Sequence, residues 1–246
     1  MLKNFKPIII IAGDPKSVFL EIYFKSLKKY KFKNPLILIA NENILLEQMK
    51  ALKYKFKINK LNINSLNHKN LDNREINFIH IPFNKKFLSE YIYNSFEKAL
   101  MLIRKNDKIN LINGPINKKK ILKQRFLGIT EYLDFKTRSK GKSVMLIYNK
   151  NLSVSPLTTH LPLKKVHKFI SKKKIINHVQ QITNFYKKKF NVIPKIGITG
   201  LNPHCESNFH KSEEEKIVIP AIKYLLKKRF KVSGPYAADT IFLKDK

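Results

Sequence analysis

Short apolar segments alternate with longer amphipathic segments along the chain. A short apolar run suits a buried strand, and a segment whose apolar residues recur every three or four positions suits a helix that covers a sheet. This alternation is typical of an α/β fold with a mostly parallel sheet. The predicted strands are Ile8–Ala12, Leu36–Ala40, Ile76–Ile81, Ile109–Asn113, Val144–Tyr148, Leu152–Pro156 and Lys195–Thr199.

The amphipathic segments between these strands are predicted to be helices, and the chain is long enough for two domains. A division near Gly128 gives a first α/β/α domain over residues 1–127 and a second α/β domain over residues 128–246. The polar segment Ser65–Asn73 is predicted to be a loop. The predicted helices are Ser17–Tyr30, Asn43–Leu52, Lys86–Arg104, Asn117–Gln124, Lys164–Ser171, Ile175–Phe190 and Glu213–Lys228.

The formal net charge of +33 is the most unusual feature of the composition, and a nucleic-acid partner is its direct interpretation. Only five of the 50 basic residues are arginine, whereas nucleic-acid surfaces favour arginine because its guanidinium makes bidentate contacts to phosphate and guanine. Lysine is abundant together with isoleucine and asparagine. This combination indicates a general bias in amino-acid usage and not a basic patch selected for binding. We therefore expect no nucleic-acid partner; the alternative predicts retention on DNA or RNA that weakens steeply with salt.

Cysteine usage and hydropathy indicate where the protein works. Cys205 is the only cysteine, so the chain can form no intrachain disulfide, and a reducing compartment is expected. The apolar run Pro7–Ala12 is too short to cross a bilayer, and no other run approaches that length. We expect a cytoplasmic protein that has no membrane partner.

Four loops after predicted strands carry the residues of chemical interest, because the carboxyl ends of parallel strands line a shared crevice. The third and fourth of these loops contain His160 and His204, and histidine is a common ligand of zinc and similar divalent ions. Position alone leaves open whether each is a ligand or a loop histidine bonded to nearby backbone. The four loops are Gly13–Pro15, Asn113–Lys118, Thr158–Leu163 and Gly200–His204.

The amino-acid sequences of these loops resemble those of a known family. TTHLPL at 158–163, GLNPH at 200–204 and GPYAADTIF at 234–242 occur in this order, after GDP at 13–15 and GPINK at 114–118. A histidine, His210, and then a pair of adjacent glutamates within the run Glu213–Glu215 also follow GLNPH. The set resembles the motifs of the 4-hydroxythreonine-4-phosphate dehydrogenase family, over essentially all of Ile8–Phe242. TTHLPL together with GLNPH is the specific part of the resemblance, whereas GDP or GPINK alone is weak.

The resemblance implies a fold, a partner and a set of site residues. Family members are similar to isocitrate and isopropylmalate dehydrogenases, which have a three-layer α/β/α architecture with two domains around a cleft and assemble as homodimers. By correspondence with the family motifs, His160 and His204 are metal ligands and Thr130 contacts the phosphorylated substrate. Asp239 corresponds to an acidic residue that approaches the metal site, as a catalytic base or as the partner of a ligand. A structural cap or turn role for Asp239 stays an alternative.

The resemblance also implies a reaction: oxidation and decarboxylation of 4-phosphooxy-threonine to 3-amino-2-oxopropyl phosphate, in pyridoxal 5'-phosphate biosynthesis. A divalent metal (Zn, Mg or Co) lowers the pKa of the substrate hydroxyl, and hydride passes to NAD or NADP. The resulting β-keto acid loses carbon dioxide readily because the metal stabilises the developing enolate. The chain has no GxGxxG fingerprint, so the sequence predicts no particular dinucleotide-binding residues.

The chain departs from the family pattern in ways that bear on its activity. Ile129 stands where the family has a histidine that binds substrate phosphate, and isoleucine cannot donate a hydrogen bond. The family's Gly-rich GDPAGIGPE reads GDPKSVFLE here. Family members also continue beyond ADTIF to a third metal-binding histidine in a YHDQ context, whereas this chain reaches Lys246. We therefore leave the activity of the chain open and expect low or no turnover with two ligands.

Two further hypotheses stay open. One is a related dehydrogenase of another phosphorylated hydroxy acid, such as a four-carbon sugar-acid phosphate, because Ile129 changes only the substrate side of the pocket. The other is an inactive, truncated family member that acts only as a binding module. The histidines outside the motifs are expected to be surface or packing residues; they are His68, His80, His167 and His178.

Overall fold

The chain forms two compact units, Met1–Gln124 and Arg125–Lys246, in a computed structural model. The structure describes residues 6–63, 71–105, 109–117, 126, 128–139, 141–205 and 212–243. Apart from Asn117, the predicted helix Asn117–Gln124 lies outside the described residues, as does most of the predicted loop Ser65–Asn73.

The first unit is built on a parallel sheet of five strands in the part of the chain that the structure describes. The strands follow the order β3-β4-β2-β1-β5, and each neighbouring pair is parallel. In the centre of the sheet Ile9 pairs with Ile37 on one side and with Leu111 on the other. The strands are β1 (Ile8–Ile11), β2 (Leu36–Ala40), β3 (Ile58–Lys60), β4 (Ile76–His80) and β5 (Asn110–Asn113).

Helices cover both faces of this sheet. Phe24 of α1 and Leu45 of α2 are fully buried on one face, in a cluster that includes Leu38 of β2. Successive strand side chains point to opposite faces, so Ile37 faces the other side, where α3 contacts β1 and β2. The three-layer α/β/α prediction is confirmed. The helices are α1 (Phe19–Lys29), α2 (Glu42–Ala51), a 3-10 turn (Lys85–Phe87) and α3 (Leu88–Lys105).

The second unit packs helices against a short parallel strand pair, β6 and β7. Ile175 and Val179 of α6 meet Ala221 and Leu225 of α7 in its core. A π-helical turn leads directly into α7. The elements are α4 (Ile129–Lys136), α5 (Leu163–Val166), a 3-10 turn (His167–Phe169), α6 (Lys172–Phe190), β6 (Ile196–Thr199), the π-helical turn (Glu214–Val218), α7 (Ile219–Lys227) and β7 (Val232–Tyr236).

Local side-chain hydrogen bonds set the ends of several helices. The Asn41 side chain accepts from the Ile44 N–H at the start of α2, at 3.2 Å. At the start of α6 the Ser171 hydroxyl accepts from the Lys174 N–H in the same way, and α6 ends at Asn191 in the left-handed conformation. Asparagine and serine are preferred N-caps because they satisfy otherwise unpaired N–H groups, and asparagine tolerates the left-handed helix end.

The predicted strands Val144–Tyr148 and Leu152–Pro156 are wrong, because this segment contains only an isolated antiparallel bridge between Ile147 and Val154. A side chain makes some of the hydrogen bonds that the backbones of two paired strands would make with each other. Ser153 bonds through its hydroxyl to both the N–H and the carbonyl of Asn149. Serine hydroxyls offer the backbone such an alternative to sheet pairing.

Three elements were not predicted: β3, α4 and β7. β3 is short and mixed in polarity, and it lies at the edge of its sheet. β7 contains Gly234 and Pro235, both of which are disfavoured inside strands. α4 spans only two turns, which gives a weak periodic signal.

No helix among the described residues combines the length and the apolar composition needed to cross a bilayer.

Candidate functional site

The segment 200–205, which directly follows β6, is hydrogen-bonded to the last residue of β7 and to the residues after it. The Gly200 N–H donates to the Tyr236 carbonyl at 2.9 Å, and the Ala238 N–H donates to the Pro203 carbonyl at 2.7 Å. Within the segment, the Asn202 side chain accepts from the His204 N–H at 3.0 Å. These hydrogen bonds hold the backbone around His204 in place.

His204 and Asp239, two of the predicted site residues, form a direct pair. Nδ1 of His204 lies 2.9 Å from Oδ2 of Asp239. The His204 side chain is 74% exposed and that of Asp239 37%. A carboxylate at Nδ1 favours the tautomer that carries its proton there, which leaves Nε2 as the nitrogen with a lone pair for a ligand.

Glu214 supports the same segment from the π-helical turn. Its Oε1 accepts hydrogen bonds from the N–H groups of Leu201, at 2.7 Å, and Asn202, at 3.0 Å. The residue is only 7% exposed. Burial opposes ionisation of this carboxyl, but the backbone N–H donors outweigh burial and lower its pKa below the ordinary value.

His160 lies beside the start of α4. A β-carbon built on Gly128, the residue before α4, would be 3.8 Å from Cδ2 of His160 and 2.9 Å from the Glu131 carboxylate. The Thr159 hydroxyl donates to the other Glu131 oxygen at 3.3 Å. Glu131 thus connects the loop that carries His160 to α4.

The loop that carries His160 and the segment 200–205 that carries His204 each contain a non-glycine residue in the left-handed backbone region. We call these two segments the histidine loops. The left-handed residues are His160 (φ 56°) and Cys205 (φ 58°), the neighbour of His204. The other such described residues all lie at or just after the end of a helix, where this conformation is common; they are Lys53, Arg138, Asn191 and Arg229. Left-handed residues away from helix ends are uncommon, and they cluster at functional sites.

Thr130, the predicted phosphate contact, is exposed in the first turn of α4. The residue before it, Ile129, opens the helix, and the N-cap residue Gly128 has no side chain that could cap this end. An uncapped helix start presents backbone N–H groups and a positive dipole end, which together suit an anion.

The structure brings the predicted site residues together only in part. It pairs His204 with Asp239, and it places His160 and Thr130 near the start of α4. Within the described ranges, no group of three histidine, cysteine, aspartate or glutamate side chains is arranged to hold a metal ion. The expectation that the TTHLPL loop follows a strand is wrong, because an isolated bridge precedes it.

Glu131 and Glu214 were not predicted to support the histidine loops. A signal for Glu214 exists, since it lies four residues before buried Val218 and extends the apolar stripe of α7 toward its start. Glu131 has no comparable signal, because α4 itself was not predicted.

The two loops of the first unit meet at the ends of β1 and β5. The Asp14 N–H donates to the Pro115 carbonyl at 2.8 Å. Gly13 has a positive φ of 78°, and a β-carbon there would lie 2.4 Å from the Pro115 oxygen. A side chain at position 13 is therefore incompatible with this close approach.

Two histidines outside the motifs have structural partners. His80 accepts from the Glu42 N–H at 3.3 Å through Nδ1. His178 lies 2.7 Å from the Ser155 hydroxyl through Nε2, and burial together with nearby Lys174 lowers its pKa to about 4. His68 lies outside the described residues.

Comparison with known proteins gives a family match over most of the chain. The model of the family described as "Pyridoxal phosphate biosynthetic protein PdxA" matches residues 31–246. This range contains both histidine loops, α4 and Asp239.

Relatives and solved structures agree with this match. A 4-hydroxythreonine-4-phosphate dehydrogenase from Sulfurihydrogenibium sp. (strain YO3AOP1) is 32% identical, over 96% of this chain and 75% of the relative. A Clostridium botulinum relative, provisionally named D-threonate 4-phosphate dehydrogenase, is 30% identical over 97% of this chain and 75% of its own length. The crystal structure of a 4-hydroxythreonine-4-phosphate dehydrogenase from Klebsiella pneumoniae superposes with a TM-score of 0.79, at 22% identity, over 97% of this chain and 77% of that protein. The structural match establishes the fold.

Proposed function

Because the chain belongs to the PdxA family of pyridoxal phosphate biosynthetic proteins, whose members include named dehydrogenases, we propose a specific oxidation as its function. The substrate is 4-phosphooxy-threonine, and the product after loss of carbon dioxide is 3-amino-2-oxopropyl phosphate. The observation that carries the proposal is the pairing of His204 with Asp239 on a segment held by several hydrogen bonds.

In this proposal, His160 and His204 hold a divalent cation such as Zn, Mg or Co. The Nδ1 contact of His204 with Asp239 supports the assignment, since metal-binding histidines commonly donate their other ring N–H to a carboxylate. A bound cation would lower the pKa of the substrate hydroxyl and stabilise negative charge on its oxygen. Among the described residues the ligand set is limited to these two imidazoles, so we assign no further protein ligand.

The residues of the chain bind and orient the substrate around that position. Thr130 and the backbone N–H groups at the start of α4 are suited to hold the phosphate. Asp239 fixes the tautomer of His204, and its exposure leaves it able to take a proton from the substrate hydroxyl as a base. Ile129 contributes no polar contact, so Thr130 and the helix start bind the phosphate without a second side-chain donor.

The proposal includes a dinucleotide, a second subunit and a location. NAD or NADP supplies the hydride acceptor, and no particular residues are assigned to it. The family resemblance supports a homodimer, and the single cysteine supports a cytoplasmic location.

A second candidate substrate is a phosphorylated hydroxy acid without an amine, such as D-threonate 4-phosphate. Ile129 keeps this alternative open, because the substitution alters the substrate side of the site and leaves His160 and His204 in place. The name of the Clostridium botulinum relative gives this chemistry a second line of support.

The test is turnover with both candidate substrates, each with NAD or NADP and a divalent cation. Products are detected by mass spectrometry, which registers slow turnover, and His204→Ala and His160→Ala serve as negative controls. We expect amino ketone phosphate from 4-phosphooxy-threonine, at a rate well above both controls. Preferential turnover of D-threonate 4-phosphate would select the second candidate, and absence of product from either would favour a binding module.

A further inference from the structure

Glu214 reaches the backbone of the segment that carries His204 from a separate element. Its Oε1 accepts from two consecutive N–H groups, those of Leu201 and Asn202. A carboxylate oxygen can accept two such bonds, and charge-assisted hydrogen bonds are stronger than neutral ones. This arrangement fixes the direction in which the segment leaves β6.

A short chain of contacts links Glu214 to the imidazole. The Asn202 N–H is bonded to Glu214, and the Asn202 side chain accepts from the His204 N–H at 3.0 Å. The Cys205 N–H donates to the Asn202 carbonyl at 2.9 Å. Asn202 therefore transmits the position set by Glu214 to the backbone of His204.

The segment is also shaped to admit the Glu214 carboxylate. A β-carbon on Gly200 would lie 3.0 Å from Glu214 Oε1 and 2.7 Å from the Cys205 sulfur. A residue with a side chain at this position would force the carboxylate or the thiol to move. Gly200 thus permits the close packing of Glu214 under the segment.

The helical register selects Glu214 among three consecutive glutamates. Glu214 is buried, whereas Glu213 is partly exposed and Glu215 is exposed. Glu214 begins the π-helical turn, and turns of this kind occur frequently at functional sites. The buried position and the two N–H donors mark Glu214 as the support of the segment.

We propose that Glu214 is the positioning residue of His204: by fixing segment 200–205, its carboxylate keeps Nδ1 of His204 on Asp239 and turns Nε2 toward the substrate and its cation. This inference rests on the proposed function for the role of Nε2. The positioning itself depends only on contacts within the second unit.

The experiment measures the tautomer of His204 by long-range proton–nitrogen NMR of the histidine-labelled, metal-free chain, with the signal assigned by its loss in His204→Ala. The main variant is Glu214→Met, which is similar in size and cannot accept a hydrogen bond. Glu214→Asp keeps the charge, but its shorter side chain moves the carboxylate away from the N–H groups of the segment. This variant replaces Glu214→Met if the latter does not fold. Glu214→Gln retains an acceptor oxygen, and Glu215→Gln is the matched control on the exposed neighbour.

We expect His204 to be mainly the Nδ1–H tautomer in the wild type, Glu214→Gln and Glu215→Gln. In Glu214→Met and Glu214→Asp the signal should shift toward a mixture of tautomers, while circular dichroism stays that of a folded chain. An unchanged His204 tautomer in the folded Met or Asp variant would overturn the proposal.

A Co²⁺ titration of the same proteins separates this inference from the proposed function. We expect at least tenfold weaker Co²⁺ binding in Glu214→Met, with Glu214→Gln close to the wild type. If the wild type bound no Co²⁺, the proposed metal site would be wrong, while the tautomer comparison would still decide the role of Glu214.

Discussion

Nδ1 of His204 and Oδ2 of Asp239 lie 2.9 Å apart, and the two residues belong to segments that are also joined through their backbones. The carbonyl of Pro203, the residue before His204, accepts from the N–H of Ala238, the residue before Asp239. A backbone hydrogen bond between the preceding residues thus holds the pair together, in addition to the contact of the two side chains.

Asp239→Asn should weaken divalent-metal binding by ~10- to 100-fold, the range seen when the hydrogen-bond partner of a metal-binding histidine is removed. The asparagine retains an oxygen but lacks the charge that favours the Nδ1–H tautomer. Co²⁺ titration of the wild type and the variant measures the effect, with Glu215→Gln as a control of equal charge change. Equal Co²⁺ affinity in wild type and Asp239→Asn would show that the pair does not support a ligand.

Substitutions at the start of α4 should change phosphate affinity in opposite directions. Thr130→Val removes a hydroxyl and should weaken binding of the phosphorylated substrate about fivefold, the worth of about one hydrogen bond. Ile129→His adds a donor and should strengthen binding by a similar factor. Isothermal titration with 4-phosphooxy-threonine measures both, and no change in either variant would place the phosphate elsewhere.

Gly13→Ala should destabilise the first unit by about 2–4 kcal/mol, because the residue combines a left-handed backbone with a contact to the Pro115 carbonyl. Gly141→Ala is the matched control: its φ is also positive, but the space around it is open. We expect about 1 kcal/mol for that control, from backbone conformation alone. Urea unfolding compares the two, and an equal loss in both variants would contradict the close approach of the two loops.

His178 should make stability depend on pH. Its pKa in the folded chain is about 4, against an ordinary value of 6.5, because burial and Lys174 disfavour the charged ring. Below pH 6.5 the unfolded chain takes up a proton that the folded chain does not, so the contribution is complete above pH 6.5 and is lost as pH falls toward 4.

The loss should amount to about 1–2 kcal/mol after allowance for the partial exposure of the ring. His178→Gln keeps a donor for Ser155 and cannot titrate, so it should lack this part of the pH dependence. Urea unfolding of both proteins at about pH 7 and about pH 5 tests this. A wild type and a variant with identical pH dependence would rule it out.

The alternation of apolar and amphipathic segments was enough to predict four of the five described strands of the first unit, because fully buried parallel strands such as Leu36–Ala40 are apolar at every position. The same rule missed β7, whose Gly234 and Pro235 are tolerated because, among the described residues, the strand pairs with β6 alone. It also over-predicted strands around Ser153, where a hydroxyl occupies backbone groups that a ladder would use.

The sequence motifs single out His204 and Asp239, whose roles at a metal site stay predictions, whereas the support from Glu214 depends on packing. His204 and Asp239 were predicted as a possible ligand and its partner, and the structure places them in contact. Glu214 was missed as a support because its role depends on which of three glutamates faces inward. That direction follows from the register of Val218 and Leu225, and it is set only when the helix packs.

In the proposed function, His160 and His204 hold one cation between them. The most direct measurement is a Co²⁺ titration, followed by its absorption bands, of the wild type, His160→Ala, His204→Ala and the double variant. If the two rings share an ion, the wild type binds one Co²⁺, and each single variant loses nearly as much affinity as the double variant. Losses that simply add, or wild-type binding in either single variant, would contradict the claim.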